Sequence, residues 1–244
     1  VDIWASSYSF IYGNNMSSNI GGGMYSDSST PTIINNSVKF NGNGLSGVGI
    51  VCAINSNAII RNNNISYNDD DGIFCLLSSP QISNNTLLDN NFGIVTSGGS
   101  NPTIENSTIV NSVTNDFYIG GNSHPVTINS TYNVTSVYFQ DGTSNLTAKW
   151  FLHTYVNDTL SNPIYGATVQ VKDNANGTFD ENHTTDANGW AQWLVITERV
   201  QNKSGNVSYT PHNITVTKNG YKNDYIEVNM NESKYLTITL TEDE

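Results

Sequence analysis

Along the first 145 residues, apolar positions recur in a fixed order. Four segments read Ile-x-Asn-x-x-apolar: Ile33–Val38, Ile60–Ile65, Ile82–Leu87 and Ile104–Ile109, their first residues 27, 22 and 22 positions apart. Three are followed by a glycine-led strand, Gly49-Ile50-Val51-Cys52, Gly72-Ile73-Phe74-Cys75 and Gly93-Ile94-Val95-Thr96, and the fourth by Phe117-Tyr118-Ile119. Turn clusters at Ser28–Pro31, Ser78–Pro80, Gly98–Pro102 and Ser123–Pro125 close the units. Extended backwards, the register places Ile11, Met16 and Met24 in the same three roles; forwards it reaches Val126 or Ile128 and then Val137–Phe139. Three short strands per repeat, with no helical stretch, predict a coil of stacked turns. A single turn cannot bury its own inward face, whereas successive turns bury a continuous column. At about 4.8 Å per rung, six rungs span about 29 Å. Isoleucines then form aliphatic columns, and asparagines at the bends form amide ladders, since asparagine tolerates left-handed backbone.

After residue 145 the period stops and longer alternating strands take over: Thr147–Val156, Ala167–Lys172, Thr178–Thr185, Gly189–Ile196, Asn213–Lys218, Tyr225–Met230 and Lys234–Thr241. Turn signals such as Ser161-Asn162-Pro163, Asp186-Ala187-Asn188-Gly189 and Lys218-Asn219-Gly220 separate them. About seven such strands predict a β-sandwich. In Trp190-Ala191-Gln192-Trp193-Leu194-Val195-Ile196 both alternating faces carry apolar residues. One face is expected to enter the core. The other, with Trp193 and Val195, is expected to lie at an interface or to be covered within the chain.

The pattern Pro-x-Ile-x-Asn-Asn-x-Ile, then Asn, then Gly-Ile resembles the right-handed parallel β-helix repeat of pectin-lyase-like, NosD-like and archaeal surface proteins. Gly166-Ala167-Thr168-Val169-Gln170-Val171, followed by Thr185-Asp186-Ala187-Asn188-Gly189, resembles the pattern of Ig-like and carboxypeptidase-regulatory-like modules. The resemblances imply an all-β protein, a right-handed parallel β-helix over 1–145 followed by an Ig-like β-sandwich over 146–244. Ile3-Trp4-Ala5-Ser6 stands where the last strand of a preceding rung belongs, so Ile3 and Trp4 are expected at a boundary with further chain or another subunit.

Composition sharpens this picture. Charged residues make up 12% of the 244, while 38 Asn, 27 Ser and 25 Thr supply more than a third. The net charge of −12 excludes the basic footprint of a nucleic-acid binder and disfavours attachment to anionic lipid. No apolar run approaches the ~18 residues of a membrane span, so direct membrane insertion is not expected.

Candidate chemistry is sparse. Asp69, Asp70 and Asp71 offer hard oxygen ligands for Ca²⁺ or paired carboxylates, set against an ordinary solvated loop. The Gly-His-Gly and Arg-x-Lys motifs of polygalacturonases are absent, and Lys39 and Arg61 are the only cationic side chains in 1–145. Cys52 and Cys75 occupy the same place in successive rungs, as a rung-to-rung disulfide or as two buried thiols filling a column. His124, His153, His183 and His212 have no metal spacing and read as scattered surface residues. Asp173-Asn174-Ala175-Asn176-Gly177 reads as an Asx-rich turn rather than a calcium loop. Fifteen Asn-x-Ser/Thr sequons occur. Asn35, Asn84 and Asn106 coincide with the ladder pattern. Asn64, Asn133, Asn145, Asn157, Asn176, Asn182, Asn202, Asn206, Asn213 and Asn231 are the glycosylation candidates.

The expected function is that of a non-enzymatic, glycosylated structural protein of an extracellular cell surface, a surface layer, sheath or filament. Its expected partners are copies of itself or other surface proteins. No cofactor is expected beyond possible Ca²⁺ and N-linked glycans. The alternative is a carbohydrate-binding adhesin or polysaccharide-active protein, with Tyr8, Tyr12, Tyr25, Tyr67 and Tyr118 as stacking residues.

Overall fold

The computed structural model describes residues 1–4, 8–42, 47–174 and 179–244. It is all-β, with no helix among the described residues. Two compact units emerge: Val1–Thr147 with Gln201–Gly205, and Ala148–Val200 with Asn206–Glu244.

The first unit is a coil with three parallel faces. Its first sheet runs Asp2–Trp4, Gly22–Asp27, Val48–Ala53, Asp71–Leu76, Phe92–Ser97, Asn115–Ile119 and Val137–Phe139. The second is built from Phe10–Tyr12, Thr32–Ile34, Ile59–Arg61, Gln81–Ser83, Thr103–Glu105 and Val126–Ile128. The third stacks Asn15–Ser17, Ser37–Lys39, Asn64–Ser66, Thr86–Leu88 and Thr108–Val110. Each repeat puts one strand on each sheet, so equivalent residues align. Met24, Ile50, Ile73, Ile94 and Phe117 form one interior column. Ile11, Ile33, Ile60, Ile82 and Ile104 form a second, and Met16, Val38, Ile65, Leu87 and Ile109 a third. These columns meet in one continuous core.

The glycine of each Gly-Ile pair is required by close approach. A Cβ on Gly72 would lie 2.7 Å from the Gly93 carbonyl oxygen and 3.1 Å from Leu87 Cδ2; on Gly93 it would lie 2.5 Å from the Asp116 oxygen and 2.3 Å from Ile109 Cγ2. The coil is narrow there, and a methyl group has nowhere to go.

Polar ladders close the corners. In the bend between the second and third sheets, Asn14, Asn36, Asn63 and Asn85 form a chain: each backbone N–H donates to the next rung's Oδ1, at 2.8–2.9 Å. Ser107 and Ser130 continue it through their hydroxyls. A second ladder links Asn19, Asn41, Asn68 and Asn90. A third runs through the hydroxyls of Ser78, Ser100, Ser123 and Ser144. Buried polar groups are tolerable when paired in this way. Eight of the 38 asparagines stand in these ladders.

In the second unit, Phe179–Thr184, Thr168–Asp173, His212–Thr217 and Asp224–Val228 form a four-stranded antiparallel sheet. Asn145–Asp158 pairs in parallel with Lys234–Leu240 and lies beside Trp190–Asn202. Leu152, Val156, Leu194, Ile196 and Ile238 from these strands share a core with Val169, Val171, Ile214 and Val216 of the sheet. The strict alternation expected over 190–196 is broken at Trp193, whose φ is +62°. Ala191 points inward before the break, Leu194 and Ile196 after it. The break acts as a β-bulge, adding one position and turning the tryptophan outward.

Candidate functional site

The coil's turns supply the most site-like feature. Ser18, Phe40, Tyr67, Asp89 and Asn111 occupy the same bend on successive rungs, all with φ between +51° and +60°, from 53° at Phe40 to 59° at Asn111. Bulky side chains are uncommon in this region, which costs roughly 1–2 kcal/mol per residue outside glycine. Phe40 and Tyr67 nevertheless stack there, centroids 5.0 Å apart and planes within 7°. They line an open hollow of about 440 Å³ together with Asp69, Asp89, Asn91 and Val113. Tyr67 donates its hydroxyl to Asp89, which holds the phenol above its usual pKa, first through that bond and then through the carboxylate's charge.

The outer face of the first sheet carries a second array. Tyr25, Val51, Phe74, Val95, Tyr118 and Tyr138 are register neighbours on six successive strands. Aromatic rings therefore recur on every second rung from Tyr25 to Tyr118. Trp4 packs on Tyr25 at 5.1 Å, and Phe92 meets Tyr118 edge-on at 5.6 Å. Of these residues, Tyr25, Tyr67 and Tyr118 are among the tyrosines expected from the sequence to stack. Phe74 and Phe40 were legible as the residue after Gly-Ile and the second residue after the third-sheet apolar position.

The acidic triplet is not one cluster. Asp69 is exposed, Asp70 half-buried and Asp71 buried at 7% exposure. Asp71 begins a strand beside Phe92 and shares a hydrogen bond with Asp70. Burial, then the Asp70 charge, pushes its carboxyl up to about 8. Among the described residues no group of three or more His, Cys, Asp or Glu is placed to hold a metal ion.

Cys52 and Cys75 are register partners, both buried, and stand as free thiols. In-register parallel neighbours keep their Cβ atoms about one strand spacing apart, ~4.8 Å, beyond the ~3.5–4.5 Å that a disulfide spans. Burial pushes the Cys52 thiol up to about 12 and raises Cys75 as well.

Several expected sites sit elsewhere than anticipated. Ile3 is buried in the coil's core, because its inward side chain joins the column of Ser26 and Cys52, while Trp4 is exposed. Trp193 is 61% exposed and Val195 half-buried. The four histidines are not uniformly on the surface: His153 and His212 are buried. Asn157 is 9% exposed, and its Oδ1 accepts a hydrogen bond from Thr239 Oγ1 at 2.7 Å. Asn35, Asn84 and Asn106, which coincide with the ladder pattern, are exposed left-handed residues, and the residue after each (Asn36, Asn85 and Ser107) enters the ladder. Asn64, Asn133, Asn182, Asn206 and Asn231 are exposed, and Asn145, Asn202 and Asn213 half-buried. Asn133 accepts from the N–H and hydroxyl of its own sequon threonine, Thr135, at 3.0 and 2.8 Å. Asn176, with most of the 173–177 turn, lies outside the described residues.

A family model described as a right handed beta helix region matches residues 3–132. No curated protein matches the chain. Among solved structures, the Bacillus anthracis TIE protein is similar at 18% identity with a TM-score of 0.26, over 39% of this chain and 18% of that one. That likeness is too slight to support an argument about fold or function. The family match covers more than half of the sequence and coincides with the stacked rungs, and the chain belongs to the right-handed β-helix family.

Proposed function

We propose that the chain is a non-enzymatic structural module of an extracellular cell-surface assembly such as a surface layer, sheath or filament, and that its second unit is an Ig-like β-sandwich. The observation that carries this reading is the set of hydrogen-bonded ladders running rung to rung through the coil. They make a stiff rod in which little bends and few side chains are left to do chemistry. The exposed sequons at Asn64, Asn133, Asn182, Asn206 and Asn231 fit a glycosylated surface. Electron microscopy of native material tests the proposal: sheets or filaments containing the chain support it, and a dispersed monomer that cleaves polygalacturonate overturns it.

The Phe40–Tyr67 stack favours a second reading, carbohydrate binding on the coil. Stacked rings beside Asp69, Asp89 and Asn91 combine an apolar wall with hydrogen-bonding groups. Glycan-array binding that disappears in Phe40→Ala, with the fold retained by circular dichroism, supports this reading; an array without signal removes it.

A further inference from the structure

One corner of the coil carries a stripe that neither reading uses. Ile34, Arg61, Ser83, Glu105 and Ile128 end the strands of the second sheet in register. The residue after each is an asparagine: Asn35, Asn62, Asn84, Asn106 and Asn129. All five are left-handed, with φ between +47° and +57°. The backbone N–H of each of the first four donates to the carbonyl that ends the next rung's strand. The bend thus presents one asparagine per rung, about 4.8 Å from the next, while the residue after it turns inward to the ladder. Asn35, Asn62, Asn84 and Asn106 are exposed and Asn129 is half-buried.

The five are alike in backbone and unlike in chemistry. A hydroxyl residue stands two positions on at four of them, Ser37, Thr86, Thr108 and Thr131, whereas Asn64 fills that place after Asn62. Asn106 and Asn129 are tied together: Asn129 donates from Nδ2 to Asn106 Oδ1 at 2.7 Å, and Asn106 donates its own Nδ2 to Glu105 Oε1 at 3.0 Å. The side chains of Asn35 and Asn84 make no hydrogen bond among the described residues. These two stand two rungs apart, ~10 Å, with the sequon-free Asn62 between them.

We propose that Asn35 and Asn84 carry N-linked glycans, so that two sugar chains project from this one corner of the coil, while Asn106 and Asn129 stay bare. The proposal rests on the reading of the chain as a glycosylated extracellular module. An oligosaccharide activated on a lipid pyrophosphate supplies the sugar. The bond from Nδ2 to the sugar C1 forms, the C1–O bond to the pyrophosphate breaks with its electron pair leaving on the phosphate, and Nδ2 loses one proton. The product needs an amide nitrogen that is unengaged and open to solvent, which Asn35 and Asn84 offer. A glycan is bulky, so the single-rung step of about 4.8 Å from Asn84 to Asn106 crowds a second one there. The ladder also sets the timing. Asn36 and Asn85, between each acceptor and its hydroxyl residue, are 2% exposed, with their N–H groups bonded to the next rung. An enzyme cannot draw out the three residues without opening the rung, so attachment precedes its closure.

Glycopeptide mass spectrometry of the protein from its native source reads each sequon. Glycan is expected on Asn35 and Asn84, with Asn106 and Asn129 unmodified. Ser37→Ala and Thr86→Ala, produced in the same source, should each remove one glycan mass from the intact protein. Both residues flank the inward-facing Val38 and Leu87 without entering the core, and circular dichroism checks that the fold persists. Asn35 or Asn84 found bare while Asn64, Asn133 or a second-unit sequon is occupied overturns the assignment and leaves the glycosylated-surface reading standing. Glycan on Asn106 or Asn129 overturns the selection by hydrogen bonding. A chain without glycan at any sequon overturns both the assignment and that reading.

Discussion

Asp71→Asn should stabilise the protein, and the gain should grow with pH. Asp71 is buried next to Phe92, with its carboxyl raised to about 8 by desolvation and by Asp70. In the unfolded chain an aspartate titrates near 3.9. Between these values the native state holds a proton that the unfolded state has released, so stability falls as pH rises, by at most about 1.4 kcal/mol per unit. Below about pH 4 both states are protonated, above about pH 8 both are ionised, and the dependence vanishes at either end. Asparagine at this position does not titrate, matches the carboxyl in shape, and still offers an N–H to Asp70. The difference in unfolding free energy, variant minus wild type, should therefore rise by about 4 kcal/mol between pH 4.5 and pH 8. Urea titrations followed by circular dichroism at pH 4.5, 6 and 8 measure it, and subtraction removes the carboxylates common to both proteins. A difference constant within about 0.5 kcal/mol across the range, or a variant weaker than wild type at pH 8, would refute the argument.

Three further outcomes follow from the interior. Asn63→Ala removes the acceptor of the Asn36 N–H and the donor to the Ile33 carbonyl; at ~1–3 kcal/mol per orphaned buried group, a loss of about 3 kcal/mol is expected by urea denaturation. Gly72→Ala places a methyl 2.7 Å from the Gly93 oxygen and should lower stability by roughly 1–3 kcal/mol, as overpacking does, read as a fall in thermal midpoint. Both thiols should resist iodoacetamide at pH 8 in the native protein and react fully in denaturant, because Cys52 is buried with its pKa near 12 and Cys75 is buried and raised too. Rapid native alkylation detected by mass spectrometry would contradict this placement.

The coil was legible because its information is local and repeated. Ile-x-Asn and Gly-Ile recur once per rung, and stacking turns that recurrence into the columns of Ile33, Ile60 and Ile82 and the glycine approach at Gly72. Which asparagine of each pair turns inward was not legible. Asn84 and Asn85 are identical in type, and only the left-handed turn at Asn84 decides that Asn85 faces the ladder. The serine ladder was hidden for a similar reason: serines beside proline and glycine read as turn formers, yet Ser78 and Ser100 point inward and bond. In the second unit the decisive contacts are distant in sequence. Asn157 is removed from the surface by Thr239, and His153 is covered by Tyr235, each 82 residues away. No periodicity reports such pairs. The outward turn of Trp193 depends on a single left-handed residue in a strand whose alternation looked regular.

The asparagine chain from Asn14 to Asn85 has a sense as well as a strength. Each backbone N–H in it points to the following rung, and each Oδ1 receives from the preceding one. This set of bonds is therefore directional, set against main-chain bonds at the same bend, such as Asn64 N–H to the Asn36 oxygen, that run the other way. Loss of the Asn63 side chain strips the amide proton of Asn36 of its acceptor, while the amide of Asn63 itself keeps Asn85. A lesion at Asn63 thus costs the rung before it both an acceptor and the donor to the Ile33 carbonyl, and the rung after it only one of the two donors to Asn85 Oδ1.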